Sequence, residues 1–244
     1  VDSYSMVCSE KELGITDESD GIIILDADAP VGTPLADYMG DAVLDISILP
    51  NMARNANVIG IARELAAMLG RDLKTDGGRQ TADSDGQRSA VGGQSVKELV
   101  EISITDPELN PRFVAGLIRN VEIKPSPYQI QRRLKLAGVR AISNIVDATN
   151  YAMIELGEPL HAFDYDVLTQ HAGGKNVKII TRTAADGEKL TTLDGNTRTL
   201  TASNVLVCDE KGSLSLAGVM GGAESEVAPT SVNILLEGAA WNFI

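Results

Sequence analysis

Apolar residues recur along this chain in two rhythms, separated by a stretch that has neither. Residues 21–25 form a short apolar run that predicts a strand, followed by the turn-rich Ala29-Pro30-Val31-Gly32-Thr33-Pro34. Over residues 42–49, Leu44, Ile46 and Ile48 alternate with Val43, Asp45 and Ser47, a period of two that predicts a second strand. The period then lengthens. Val58, Ile61, Leu65, Met68 and Leu69 recur at helical spacing, with Asn57 placed as an N-cap and Gly70 just past the end, so residues 57–69 predict an amphipathic helix.

From Lys74 to Lys97 the rhythm disappears into Gly, Ser, Asp and Gln. So little apolar surface cannot offset the entropy of ordering, and residues 74–97 predict a flexible linker. It divides the chain into a small N-terminal unit, residues 1–73, and a larger one, residues 98–244.

The larger unit opens with predicted strands at 100–104 and 113–118. Ser126 is placed to cap and Pro127 to take the first helical position of a helix through Ile130, Leu134 and Leu136, stopping at Gly138. A second helix is predicted over 141–153, with Ile142, Ile145, Val146 and Tyr151 facing inward. Beyond it, strands are predicted at 177–182, 190–193, 197–200, 205–209, 214–219 and 233–236, and Asp194-Gly195-Asn196 reads as a hairpin turn. The expected fold class is α+β: a small N-terminal α/β unit, a linker, and a larger module of mixed sheet and helix. Val1 at the start and Trp241-Asn242-Phe243-Ile244 at the end read as cuts within a longer polypeptide.

Charge narrows the function. The net charge is −13, from 21 Lys and Arg against 34 Asp and Glu, which argues against a strong standalone grip on nucleic acid, since phosphate neutralisation supplies most such affinity. Arg132, Arg133, Lys135 and Arg140 are a local basic exception, read first as a solvated helix face and second as a phosphate contact. Aromatic residues make up only 4%, so the core is expected to be aliphatic. Cys8 and Cys208 lie far apart without ligand spacing, which points to reduced thiols and no structural zinc. No apolar run approaches membrane length and no leader is evident, leaving the cytoplasm as the expected location.

Few residues suggest chemistry by themselves. Gly218-Val219-Met220-Gly221-Gly222 lacks the setting of a phosphate loop and reads as glycines needed for a sharp turn. His171, in a polar stretch, reads as exposed, and His161, between an apolar run and Asp164, as a hydrogen-bonded structural residue. Glu237 ends the apolar run Ile234-Leu235-Leu236; it reads either as a pKa-shifted acid or as a carboxylate paired with an amide or an arginine.

Longer strings carry a resemblance. These are residues 6–14 (MVCSEKELG), Leu49-Pro50-Asn51 followed by residues 60–65 (GIAREL), Asp147-Ala148-Thr149-Asn150-Tyr151, residues 159–164 (PLHAFD), 190–195 (LTTLDG) and 216–222 (LAGVMGG). Each resembles a segment of the bacterial-type beta subunit of phenylalanyl-tRNA synthetase, in that subunit's order. The resemblance implies that residues 1–73 are the end of an OB-like RNA-binding insert plus a small helical domain. Residues 98–244 would be most of an editing module, cut short at its C-terminus, that hydrolyses tyrosine wrongly attached to tRNA(Phe). A pocket shaped for phenylalanine rejects an added hydroxyl poorly, which is why a second site is needed.

Carried onto this sequence, the resemblance makes Glu237 the acceptor for the tyrosine hydroxyl. His161 falls near the ester, as water-positioner or as base. Thr149 and Asn150 would line the site, with Ala217 and Gly218 as its close wall. Catalysis would use a positioned water, with no metal and no cofactor in this fragment; ATP and magnesium belong to the whole enzyme. The implied partners are the alpha subunit and tRNA(Phe), in a heterotetramer without a membrane. The alternative is a non-catalytic scaffold that positions tRNA in the same synthetase. A free-standing editing protein is a third reading, against which the helical unit before residue 74 argues.

Overall fold

Alternation of buried and exposed side chains along the strands sets the architecture of the C-terminal part. The computed structural model describes residues 7–15, 19–25, 27–73 and 96–242; most of the expected linker, residues 74–95, lies outside them. Ten strands and five α-helices are present among the described residues. The strands are β1 (Val100–Ile104), β2 (Arg112–Ile118), β3 (Leu160–Asp164), β4 (Val177–Thr183), β5 (Lys189–Thr191), β6 (Thr197–Thr199), β7 (Val205–Cys208), β8 (Ser213–Leu216), β9 (Met220–Gly221) and β10 (Ile234–Ala240). The helices are α1 (Leu35–Met39), α2 (Val58–Leu69), α3 (Tyr128–Leu136), α4 (Asn144–Leu156) and α5 (Tyr165–His171).

The strands form three sheets, in the orders β1-β4-β7-β8-β9, β2-β10-β3 and β5-β6. Only β1 and β4 run parallel; every other pair is antiparallel. Phe113, Leu117, Phe163 and Leu235 of the three-stranded sheet share one apolar cluster with Val100, Val177, Ile179, Val207 and Leu214 of the five-stranded sheet. On the other face of the five-stranded sheet, Leu206 and Cys208 join Leu190 and Leu200, beside the β5–β6 hairpin, in a second cluster. The larger sheet is therefore covered on both faces. Each fully buried aliphatic side chain contributes on the order of 1.5–3 kcal/mol of transfer free energy. The class is α+β, as expected.

Several local expectations shift. Ser126 does not cap α3; Pro127 holds the N-cap position, and the Ser126 carbonyl instead accepts from Gln131 Nε2 at 2.6 Å. Helix α4 begins three residues later than its apolar pattern suggests. Ser143, in extended conformation, caps it by accepting from the Val146 N–H, and buried Asp147 accepts from the Ile142 N–H at 2.7 Å, leaving Ile142 exposed. Strand β3 and helix α5 have no counterpart in the sequence reading. Asp164 makes the break between them by accepting from the Asp166 and Val167 N–H groups at 2.9 and 3.1 Å.

The N-terminal unit is corrected more deeply. Residues 21–25 and 42–49 form no strand, because a strand needs a ladder partner and none of the described residues supplies one. Val43, Leu44 and Leu49 lie exposed. Helix α2 forms as expected, with Asn57 Oδ1 accepting from Gly60 N–H at 2.7 Å and Gly70 at φ 60°. Its stripe is nonetheless largely uncovered, Met68 being 80% exposed. What holds α2 is its start. Asn57 sits on Gly157, the C-cap of α4, where a Cβ would come within 2.8 Å of Asn57 Nδ2.

One polar side chain ties both larger sheets together. Asn110 is 1% exposed. Its Nδ2 donates to the carbonyls of Arg112 and Ala240 at 3.0 and 2.8 Å, and its Oδ1 accepts from Thr181 Oγ1 at 3.1 Å. Removing it takes the donor from the Arg112 and Ala240 carbonyls at the sheet ends and strands the buried Thr181 hydroxyl. Asn110→Ala is expected to lower the unfolding free energy by about 2–4 kcal/mol in urea titrations; a loss below about 1 kcal/mol would mean that the sheets hold each other without it.

Candidate functional site

Strand register brings the two most distinctive ionisable side chains face to face. In β10, Glu237 pairs with His161 of β3 on one side and with Ala115 of β2 on the other. Two residues earlier, Leu235 pairs with Phe163 and Leu117, both members of the inter-sheet core. Because side chains alternate along a strand, Glu237 and His161 extend the same face. They stand at the end of the apolar layer between the two large sheets. Two alanines flank Glu237: Ala115 pairs with it from β2 and Ala239 stands two residues further along β10, both packed against the core cluster. Small neighbours leave the carboxyl room that larger residues would take.

Burial dominates the electrostatics here. Glu237 is 7% exposed, and burial pushes its carboxyl up to about 7. The same cause pushes the His161 imidazole down to about 4, so it is neutral near pH 7. No ion pair joins the two, and Glu237 Oε2 has no hydrogen-bond partner among the described residues. A buried acceptor without a donor is uncommon in a folded chain. The His161 ring meets Phe163 edge-on, with centroids 4.5 Å apart and planes at 80°.

The remaining expected residues are placed less closely. Thr149 and Asn150 lie on α4, which packs against β3. Thr149 is buried and its hydroxyl donates to its own helix, to Val146 O at 2.7 Å, so only its lone pairs remain to offer. Ala217 and Gly218 form the turn after β8, with Gly218 at φ 66° and the Val219 N–H donating to Leu216 O at 3.0 Å. No hydrogen bond joins Thr149, Asn150, Ala217 or Gly218 to His161 or Glu237. The sequence reading missed Gly221, although it lies in the glycine string: it abuts the His161 ring.

His171 is corrected. Far from being exposed, it ends α5 with a side chain 9% exposed, and Nδ1 lies 2.6 Å from Asp209 Oδ2. Asp209 also accepts from the Lys211 and Gly212 N–H groups at 2.8 and 2.9 Å. An open cleft of ≈ 590 Å³ is lined by these residues with Glu188, Lys189 and Glu224, and by none of the six residues expected at the site. Burial raises the Cys208 thiol to about 11, which keeps it protonated near pH 7. The basic residues of α3 are taken up internally: Arg132 and Arg133 lie 3.9 and 3.7 Å from Asp41, and Lys135 lies 3.5 Å from Glu10. No helix of the described residues is long and apolar enough to cross a membrane.

Fold and site together define a layered α+β module with a partnerless carboxyl and a neutral imidazole at the end of its inter-sheet core. Residues 109–244 match the family model described as "B3/4 domain". That is more than half of the chain, which belongs to the B3/4 domain family. It is 45% identical over 243 residues to the phenylalanine–tRNA ligase beta subunit of Geobacter sulfurreducens, a match covering 99% of this chain. It is also 42% identical over 244 residues to the subunit of that name from Dehalococcoides mccartyi. The chain spans 28% of the length of these curated relatives. An N-terminal fragment of the phenylalanyl-tRNA synthetase beta-subunit from Pyrococcus horikoshii overlaps 59% of this chain and 44% of its own, with TM-score 0.43 and 13% identity.

Two predictions follow from burial. The folded chain binds the Glu237 proton more tightly than its ordinary 4.5 allows, so that contribution to stability is full below about 4.5 and lost as pH rises to about 7. Folding sheds the His161 proton, so its contribution is full above its ordinary 6.5 and lost as pH falls to about 4. Each swing is about 3 kcal/mol, at about 1.4 kcal/mol per pH unit. In urea unfolding, Glu237→Gln is expected to gain stability on the parent as pH rises from 4.5 to 7, and His161→Gln to lose it from pH 4 to 6.5. Differences flat with pH would show that neither group is held as described. Separately, His171→Ala is expected to cost about 2 kcal/mol and to loosen residues 209–212 in hydrogen exchange; unchanged exchange there would show that the His171–Asp209 contact does not hold that turn.

Proposed function

We propose that this chain is part of a phenylalanine–tRNA ligase beta subunit, and that it contains the module that hydrolyses tyrosine misattached to tRNA(Phe). The observation that carries the reading is Glu237: a buried carboxyl with an unpartnered oxygen, directly across the strand pair from a neutral imidazole. Keeping such an acceptor costs stability that a leucine there would not. A phenol hydroxyl satisfies it. Phenylalanine, lacking that hydroxyl, leaves it stranded, and a site built on one hydrogen bond discriminates far better than one built on size.

On this reading a water attacks the ester carbon of the aminoacyl end, and the C–O bond to the terminal ribose breaks. The ribose oxygen takes up a proton, releasing tyrosine and free tRNA. A neutral His161 can orient that water by accepting its hydrogen bond, or take its proton as base. Thr149 and Asn150 would line the pocket beside β3, and Ala217 with Gly218 would wall it. The whole ligase, in which the relatives' names place this chain's counterpart, would be a cytoplasmic heterotetramer with an alpha subunit, using ATP and magnesium outside this part of the chain.

The test uses the intact two-subunit enzyme. Glu237→Ala, which removes the acceptor altogether, is expected to slow deacylation of Tyr-tRNA(Phe) about 100-fold, the worth of one hydrogen bond to a charged group, while attachment of phenylalanine proceeds unchanged. Clearance at the parent rate would instead favour a scaffold that only positions tRNA.

A further inference from the structure

Resting on that editing reading, we propose that Gly221 is the positioning residue that seats the His161 imidazole at the Glu237 site. A Cβ built on Gly221 would lie 2.5 Å from Cε1 and 2.8 Å from Nε2 of His161, and 3.1 Å from Leu193 Cδ1. Real side chains do not approach so closely. The hydrogen on Gly221 is therefore the surface against which the Cε1–Nε2 edge of the ring rests. Phe163 holds the ring from another side, edge-on. Strand β9 and the Phe163 ring together leave the imidazole one place to stand.

The β5–β6 turn fixes β9 in that place. The Leu193 N–H donates to the Gly221 carbonyl at 3.0 Å, and Thr192 bridges to Gly222. The turn itself is locked. Thr192 Oγ1 donates to Asp194 Oδ1 at 2.6 Å, Arg198 to Asp194 Oδ2 at 2.6 Å, and the Thr192 N–H to the Asn196 carbonyl at 3.0 Å. Three strings distant in sequence, 159–164, 190–195 and 216–222, thus converge on one ring.

The two neighbouring glycines differ in what they touch. At Gly222 a Cβ would strike the Leu214 carbonyl oxygen at 2.4 Å, a backbone atom that cannot yield without disturbing β8. At Gly221 the obstacles are the far ends of side chains. Gly221→Ala should therefore leave the fold intact and displace the imidazole, whereas Gly222→Ala should damage the sheet.

Three measurements decide the matter. The chain has only two histidines, so ring resonances of His161 can be followed by NMR against a His171→Gln reference. Burial pushes its imidazole down to about 4 in the parent, with the Glu237 carboxyl across the strand as the facing ionisable group. In Gly221→Ala its titration is expected to move up towards the ordinary 6.5 as the ring leaves its seat. A double-mutant cycle adds a check that does not depend on activity: Gly221→Ala should lower stability when His161 is present and not in a His161→Ala background. In the intact enzyme, Gly221→Ala is expected to reduce kcat for Tyr-tRNA(Phe) deacylation about 100-fold with KM little changed, the cost of an ångström-scale misplacement. An unmoved His161 titration, an equal penalty in both backgrounds, or normal deacylation with a displaced ring would each overturn the proposal. Absence of deacylation by the parent enzyme would instead overturn the editing reading, and the titration would still decide whether Gly221 seats the ring.

Discussion

The C-terminal module is organised around the burial of one carboxyl and one imidazole at the end of an apolar layer. Neither Glu237 nor His161 gains an ionic partner for the water it gives up. The protein tolerates this because the rest of the layer is strongly apolar, with Phe163, Val177, Ile179, Val207 and Leu235 fully buried. The core therefore carries an internal cost at a fixed place, and register determines where it falls. A slip of one residue in β10 would turn Glu237 outward and expose Leu235 with it. Correct folding and placement of the carboxyl are a single requirement.

Each of the other layers constrains that end of the core. Asn110 clamps the opening of β2 to the close of β10 and reaches across to β4, so the two large sheets cannot slide past one another. At the opposite edge β9, only two residues long, comes close enough to touch the His161 ring, and it can do so because Gly221 carries no side chain. The β5–β6 turn holds that short strand from its far side. Rigidity at the site thus comes from both sheets and the hairpin together, which is the arrangement expected where side-chain geometry must be kept within fractions of an ångström.

The parts of this legible in the sequence are those governed by local periodicity and turn chemistry. Strands β1, β2, β4 and β7, helices α2 and α3, and the turn at Asp194-Gly195-Asn196 all stand near their expected places. Glu237 could be suspected because it follows three apolar residues in a strand. Its pairing with His161 could not, since register between residues 76 positions apart is decided by packing and leaves no local signature. Strand β3 was hidden because Leu160-His161-Ala162-Phe163-Asp164 mixes polar residues on both faces, one bearing the imidazole and the other the cap for α5. Residues 42–49 misled in the opposite direction. Their alternation is real, but alternation describes a surface that a partner must cover, and the described residues contain none. His171 seemed free among polar neighbours because its partner, Asp209, is far along the chain.

Charge explains why such a site sits in an acidic module. The chain carries −13 overall, and the basic residues of α3 that might have met phosphate are occupied by Asp41 and Glu10. A strongly basic surface beside Glu237 would stabilise its carboxylate and pull the pKa down; the site instead relies on desolvation alone, which leaves the carboxyl near neutrality. On the editing reading these demands separate. Holding a polyanion requires positive charge, while reading one hydroxyl requires a dry carboxyl with no competing cation. A long polypeptide can divide them between regions, and this chain spans 28% of its relatives' length. On that reading the region described here meets the second demand, because burial alone sets the Glu237 carboxyl and no cation among the described residues stands beside it.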